Sequence, residues 1–529
     1  MQIPGFELEF DALPAPVPIW HAQVTPQHWQ SAATAVHAAG GRLLALWAGS
    51  SIDPSGTDTS LAPVPACMCA AYVVLEGAFW LSLPLLKKEG RWVYPDLSAV
   101  FLPATRMQRA AADLSGVQAQ GAQDVRPWLN HGAWPVDHYP LQQHPDGLAV
   151  VAPTELQNYP FVHVDGDGVH EIAVGPVHAG VIEPGHFRFS VVGEKVLRLE
   201  QRLGYTHKGI EQRMTQLPAM EAHRLAGRVS GDSTVAYAWA YCMALESATH
   251  TVIPPRAAWL RALMLERERV ANHLGDLGAL GNDAAFAFGL AQFSRLRENW
   301  LRGSQAVFGH RLMMDCVRPG GVSVDPDRAQ SNLLIDQCDS LEKEVHTLFD
   351  IYESHAGLQD RFVTTGRVLP ELASRLGLTG LAGRASSQTW DLRCDHPFVP
   401  YSDLPVAMAT HHNGDVAARV AVRFDEVFES LRLIRRMLGD LPAGDIVCPV
   451  VLTQQAARGA GWVEGWRGEV FVALELAGAN LANRIERCHL HDPSWQNWPV
   501  LEHAIMGNIV ADFPLINKSF NLSYSGQDL

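Results

Sequence analysis

Apolar residues along the chain fall into two regimes. Up to about position 142 they come as short β-like runs, GRLLALWAG and AAYVVLEGAFWLSLPLL, followed by one helix-like run, TRMQRAAADLSGV. Alternation and β-branched content over such lengths predict a sheet, so residues 1–142 read as an α+β unit. Residues 143–171 are dense in Pro, Gly, Asp and Gln and read as a linker. From 172 to 529 the pattern turns mostly helical. Its clearest helix opens at Pro254-Pro255, where proline suits a first turn, and continues through RAAWLRALMLERERVANHLGDLGAL. Leu260, Leu263, Met264, Val270, Leu274 and Leu277 give apolar faces, while Glu266, Arg269, His273 and Asp276 recur at three- or four-residue steps and share another stripe. The helix is apolar around much of the rest, so the stripe is expected to be buried and to need partners. Two uses fit it: a structural ion-pair network, or a route for protons.

Composition narrows the function. The 529 residues suit two or three units, and a formal net charge of −15 excludes a phosphate-backbone partner. No run reaches about 18 uninterrupted apolar residues, so no membrane span is expected. The opening MQIPGFELEFDALP has neither a basic nor an apolar leader segment, which predicts no signal peptide. No two of the eight cysteines form C-x-x-C; only Cys67 and Cys69 are close neighbours, inside a β-like run. Buried reduced thiols are expected for all eight, and an iron–sulfur cluster held by this chain alone is not.

Several short motifs follow one another in a fixed order: GPVHAG (175–180), RLGYTHKGIE (202–211), RVSGDS (228–233), LERERVANHL (265–274), RPGGV (318–322), GRAS through WDLRCDHPF (383–398), RGE (467–469) and DPSWQNW (492–498). In that order they resemble the family uniting the large subunits of nickel–iron hydrogenases with the D subunit of respiratory complex I, most of all its energy-converting, membrane-bound group. Residues 106–141 resemble the end of the complex I C subunit. A fusion of C-like and D-like units is characteristic of formate-hydrogenlyase-type large subunits.

The resemblance carries implications for single residues. Nickel–iron hydrogenases hold their metals with two C-x-x-C pairs, because soft thiolates suit those ions. Here the first pair falls on Ser230 and Ser233 and the second on Ser494 and Asn497, so the family frame is expected to carry no metal. Glu211 matches the carboxylate that passes protons beside the metal, and Arg318 matches a residue lining the same cleft. His178 lies in the hairpin that reaches the quinone pocket in complex I, with His186 as the other candidate and Asp283 matching the histidine's partner. The tyrosine that bonds the quinone headgroup would fall near Gly231, and none is nearer than Tyr237, about two helical turns away. The Asn/Ser-rich tail from Met506 to Leu529 is expected to be an ordered extension packed over the cleft or against a partner.

The expected architecture is therefore α+β: an N-terminal sheet domain followed by a helical large-subunit domain. The resemblance implies a core subunit of a membrane-associated, complex I-like oxidoreductase on the cytoplasmic side of the inner membrane. Its implied partners are an iron–sulfur small subunit, a ferredoxin-like subunit and antiporter-like membrane subunits, with the [4Fe-4S] clusters in those partners. Two roles remain open: a scaffold that couples a partner's redox step to ion movement, or a quinone-reducing terminus near His178 and Glu211.

Overall fold

The structure is a computed structural model and describes residues 7–50, 65–142, 158–180, 182–478 and 484–529. Residues 143–157 of the expected linker lie outside the described residues. The N-terminal part begins β1 (Asp11–Leu13), β2 (Ile19–Gln23), α1 (Pro26–Ala38), β3 (Arg42–Gly49), β4 (Cys67–Val74) and β5 (Gly77–Pro84). These strands form one sheet in the order β1-β2-β5-β4-β3, antiparallel except where β2 runs parallel to β5. Then come β6 (Leu86–Lys88), β7 (Arg91–Pro95), α2 (Ala104–Ser115) and β8 (Val117–Gln120), with β7 and β8 parallel across α2.

Strands β3 to β5 are buried along almost their whole length, which explains their near-continuous apolar runs. One face, with Leu43, Leu46, Met68 and Phe79, packs on Trp29, Ala33 and Val36 of α1 and on Met107 of α2. The opposite face, with Trp47, Cys69 and Trp80, packs into the helical part of the molecule. The core therefore runs across residue 142 without a break.

The second part opens with the meander β9 (Val169–Val174), β10 (His186–Val192) and β11 (Lys195–Arg202). It continues through α3 (Ile210–Met214), α4 (His223–Ala226), α5 (Thr234–Ala248), α6 (Pro255–Asp283) and α7 (Ala287–Phe308). After the short ribbon β12 (Val317–Arg318) and β13 (Gly321–Val322) come α8 (Arg328–Ser354), α9 (Ala356–Phe362), α10 (Pro370–Arg375), α11 (Gly380–Arg384), α12 (Leu392–Asp395) and α13 (Val416–Gly439). A three-stranded antiparallel sheet, β14 (Ala457–Glu464), β15 (Glu469–Leu476) and β16 (Ile485–His491), precedes α14 (Ser494–Ala504), α15 (Phe513–Phe520) and α16 (Tyr524–Asp528). The α+β reading of the sequence holds.

Two features position the site. Helix α5 is buried along its full length and lies directly on β14. A Cβ at Gly459 would come within 2.0 Å of the Ala244 carbonyl, and one at Gly461 within 1.9 Å of the Ala240 carbonyl, so only glycine allows this approach. Helix α6 starts at Pro255, as the sequence predicts, and each member of its polar stripe is buried and paired. Glu266 pairs with Arg393 at 3.0 Å and Arg269 at 3.1 Å, His273 reaches Glu426 at 2.7 Å, and Asp276 meets Arg423 at 2.9 Å and Lys518 at 3.0 Å. Desolvation raises the Glu266 carboxyl, but Arg393 and Arg269 outweigh it and hold it at about 2. The stripe ties α6 to α12, α13 and α15 by charge.

Six cysteines are buried, as expected, but Cys394 and Cys448 are only half-buried. Cys394 sits in the one-turn helix α12 and Cys448 in the loop before β14, both too near the surface to be enclosed. Among the described residues no helix is long and apolar enough to cross a membrane.

Candidate functional site

The segment Gly231–Ser233 makes a single tight turn that feeds α5, and Pro493 opens α14 beside it. The loop between β14 and β15 inserts Trp466 and Arg467 into the gap. Arg467 donates from Nη2 to Asp232 Oδ2 at 2.6 Å and from Nη1 to Asp232 Oδ1 at 2.9 Å, a bidentate pair. Its Nε donates to the Asn521 carbonyl at 2.6 Å. Burial lifts the Asp232 carboxyl, but Arg467 and the hydroxyl of Ser230 more than offset it and hold it at about 2.

Each of the four positions that the resemblance assigns to metal ligands is engaged in this net. Ser230 Oγ donates to Asp232, and Ser233 Oγ accepts from Trp466 Nε1 at 3.1 Å and Arg467 Nη1 at 3.3 Å. Ser494 Oγ accepts from the Ser523 amide at 2.9 Å. Asn497 exchanges two hydrogen bonds with the backbone of Thr379, both at 3.2 Å. Hydroxyls and an amide committed in this way do not fit a four-thiolate metal centre. The C-terminal tail closes the gap, as an ordered extension: the Asn521 carbonyl accepts from Arg467, the Ser523 amide donates to Ser494, and the Ser523 carbonyl accepts from Trp498 Nε1 at 3.0 Å.

Tyr237 lies six residues beyond Gly231, in α5, and its phenol donates to Asp492 Oδ2 at 2.7 Å. A tyrosine therefore does stand in the site, bonded to the aspartate of DPSW.

Glu211 stands apart from this net, in the short helix α3. Its carboxylate accepts from Arg487 Nη2 at 2.8 Å and meets His489 Nδ1 at 2.6 Å. Burial alone raises it, but the charge of Arg487 and the bond from His489 bring it down to about 2. Arg487, His489 and His491 share one face of β16, and the imidazole of His489 stacks on Trp47 of β3 at 4.8 Å. Sequence reasoning missed these partners, although the alternation in RCHLH places them on one strand face.

The remaining candidates are dispersed. His178 is half-buried in the turn after β9, with Nε2 3.3 Å from Tyr524 Oη and Nδ1 3.3 Å from the Pro176 carbonyl. The amide of Ser525 donates to Glu183 at 3.0 Å, so the tail holds this turn too. His186 opens β10 and accepts from Arg188 Nε at 3.3 Å; burial and Arg188 lower its pKa. Asp283 is exposed at the end of α6, where partial burial raises its carboxyl and Lys518 opposes the rise. Arg318 is exposed on β12, and the contact it makes to the buried frame is its carbonyl, which accepts from Arg261 at 2.8 Å. The structure thus joins Ser230, Ser233, Asp232 and Arg467 in one cluster and Glu211 with Arg487 and His489 in another. Among the described contacts it brings neither His178 nor Asp283 against Glu211.

Comparison with known proteins identifies two family units in the chain. Residues 22–147 match the 30 Kd subunit of respiratory-chain NADH dehydrogenase, and residues 280–458 match its 49 Kd subunit. The chain is 31% identical to formate hydrogenlyase subunit 5 of Escherichia coli over 85% of this chain and 79% of that one. It is 30% identical to hydrogenase-4 component G of the same organism, over 86% and 79%. With the fused C/D component of NADH-quinone oxidoreductase from Phocaeicola vulgatus it shares 28% identity over 74% and 79%. A chain of the membrane-bound sulfane sulfur reductase, an archaeal respiratory membrane complex, shares the fold with a TM-score of 0.64 at 22% identity, covering 69% of this chain and all of that one. With both NADH dehydrogenase-type units fused in one chain, this protein belongs to the family of formate hydrogenlyase subunit 5 and hydrogenase-4 component G, which resembles the C/D fusion of complex I.

Proposed function

We propose that the chain is the core peripheral subunit of a membrane-associated, complex I-like oxidoreductase, and that it works without a nickel–iron centre of its own. The observation that carries this reading is the ligand quartet. Ser230, Ser233, Ser494 and Asn497 supply no thiolate, and their hydrogen bonds are already taken by Asp232, Arg467, Trp466, Ser523 and Thr379. Electrons then travel on [4Fe-4S] clusters held by an iron–sulfur small subunit and a ferredoxin-like subunit. Antiporter-like membrane subunits move the ion, with this chain on the cytoplasmic side of the inner membrane, and the buried charges of α6 make it a stiff coupling element between the two. Metal analysis of the purified complex is expected to find no nickel assigned to this subunit, and gas assays no hydrogen uptake or evolution. One nickel per chain overturns the reading.

A second reading is favoured by one contact. His178 Nε2 lies 3.3 Å from the phenol of Tyr524, which pairs an imidazole with a hydroxyl donor at the half-buried turn. In that reading the pair binds a quinone headgroup, with proton supply from the Glu211 side. Tyr524→Phe then raises the quinone KM while leaving assembly intact, whereas a scaffold shows no quinone dependence at all.

A further inference from the structure

Seven charged side chains from five elements meet in one buried cluster of the second part, none of them more than 3% exposed. Glu266 and Arg269 come from α6, Arg384 from α11, Asp391 and Arg393 from the start of α12, Glu426 from α13 and Glu464 from the end of β14. Four are carboxylates and three are guanidiniums. His273 bonds Glu426 at 2.7 Å, but burial lowers its pKa and keeps the ring neutral. The adjoining charges are matched separately: Arg42 of β3 with Glu469 of β15, Arg423 with Asp276, and Arg467 with Asp232. Lys518, the second cation on Asp276, reaches solvent at 23% exposure. An unmatched negative charge in such surroundings is costly, and a carboxylate escapes the cost by taking up a proton.

The donors around each carboxylate show where that proton sits. Glu266 accepts from Arg393 at 3.0 and 3.2 Å, Arg269 at 3.1 Å, Ser430 at 2.7 Å and Tyr401 at 2.7 Å. Asp391 accepts a bidentate pair from Arg393, at 2.7 and 3.0 Å, and the Arg393 amide. Glu426 accepts from Arg384 twice, at 2.5 and 3.2 Å, and from His273. Glu464 has the thinnest set, Arg384 Nη1 at 2.9 Å and the Leu392 amide at 3.3 Å. Its one cation is shared, since Arg384 also serves Glu426 and lies 3.6 Å from Asp391. Directly across the β14–β15 hairpin stands its register partner Glu469, and like charges in that position repel. Glu469 is 4% exposed, and its Oε2 has no partner among the described residues. Burial and the charges of Asp391 and Glu469 push the Glu464 carboxyl up to about 7, with Arg384 opposing them.

We infer that Glu464 is a proton-binding site, the carboxyl of this cluster that takes up and releases a proton near neutral pH. The step moves no electrons: a proton from solvent adds to a carboxylate oxygen and leaves by breaking the same bond. Asp395 is exposed one turn beyond Asp391, and Glu469 and Arg42 both act on its carboxyl, so it marks the side from which the proton comes. Uptake cancels the net charge of the cluster that joins α6, α11, α12 and α13, and it acts through Glu469 on the ion pair to Arg42 of the N-terminal sheet. The site stands whether the chain is a scaffold or a redox terminus.

The test is infrared difference spectroscopy of the purified complex, parent against Glu464→Gln, from about pH 5 to about pH 9. Subtraction separates this group from other raised carboxyls, Glu268 and Asp528 among them. The parent is expected to show one extra carboxylic-acid carbonyl band, which shifts in D2O and fades as pH rises through about 7. A purely structural ion pair shows no such band. Glu469→Gln removes the opposing negative charge and leaves Arg42 unmatched, and both effects lower the midpoint, by about one unit or a roughly tenfold loss of proton affinity. If Glu464→Gln does not assemble, Glu464→Asp takes its place: an acid is kept, and the band moves in frequency without vanishing. Parent and Glu464 variant spectra that coincide in the carboxylic-acid region at about pH 6 overturn the proposal. So does a band whose midpoint Glu469→Gln leaves unmoved.

Discussion

Two clusters in this molecule are built on the same pair of groups, a carboxylate against an arginine, yet they end differently. At Asp232 and Arg467 every guanidinium nitrogen is used, and the serines around them are bonded as well. At Glu211 and Arg487 one guanidinium nitrogen and one imidazole nitrogen have no partner among the described residues, beside a cavity. The first site is where the family resemblance places metal ligands; the second is where it places a proton-passing carboxylate. Where thiolates are missing, a hydrogen-bonded polar plug stands in their place, whereas the cluster around the neighbouring acid stays open beside a cavity.

Unsealing the plug puts this contrast under the most strain. Asp232→Ala leaves Arg467, whose side chain is only 7% exposed, without its counter-charge. We expect a loss of about 3 kcal/mol in denaturant unfolding of the full chain, the low end for a broken buried pair because Asp232 itself is 32% exposed. Replacing both residues, Asp232→Leu with Arg467→Met, restores most of that loss. If the single variant is as stable as the parent, the plug is not structural.

Acid separates the clusters from a third group, Glu268. Glu211 has its folded pKa lowered to about 2 from 4.5, so its contribution is present above pH 4.5 and lost as pH falls toward 2. Glu268 behaves in the opposite sense. Burial raises it to about 8, against the amides of Val235 and Ala236 that donate to it, so its contribution is complete below pH 4.5 and fades as pH rises through 8. Glu268→Gln is therefore expected to stabilise the chain by about 1 kcal/mol at pH 9 and to have little effect at pH 5. Thermal unfolding at the two pH values checks it, and a gain that is larger in acid contradicts the assignment.

What can be read from the sequence follows the range over which its signals act. Helix α6 is legible because Pro255 opens it and its apolar and charged residues keep a helical period. The plug's four positions are legible only through the order of the motifs, since a serine by itself says nothing about a lost thiolate. Strands β3 to β5 are legible as strands, but not as a sheet covered on both faces, because the second cover comes from helices far along the chain. The partners of Asp232 and Glu211 are hidden for the same reason. Arg467 is 235 positions from Asp232, and Arg487 is 276 from Glu211, distances that no periodicity spans.

The last prediction concerns turnover, where the smallest effect is expected. Glu211→Gln preserves shape and removes charge, and its amide oxygen can still accept from Arg487. In the scaffold reading, electrons pass through partner clusters and never use this carboxylate, so donor-to-acceptor electron transfer in the assembled complex stays within about twofold. Ion movement is the quantity that falls, since a carboxylate carries protons and an amide does not. In the quinone reading Glu211 supplies protons to the acceptor, and the same variant loses about 10²- to 10⁴-fold in turnover, the usual contribution of a general acid or base. Both rates are measured on one preparation, with assembly checked by subunit stoichiometry. A fall of more than about tenfold in electron transfer, with every subunit present, sinks the scaffold and moves the redox terminus to the open cluster.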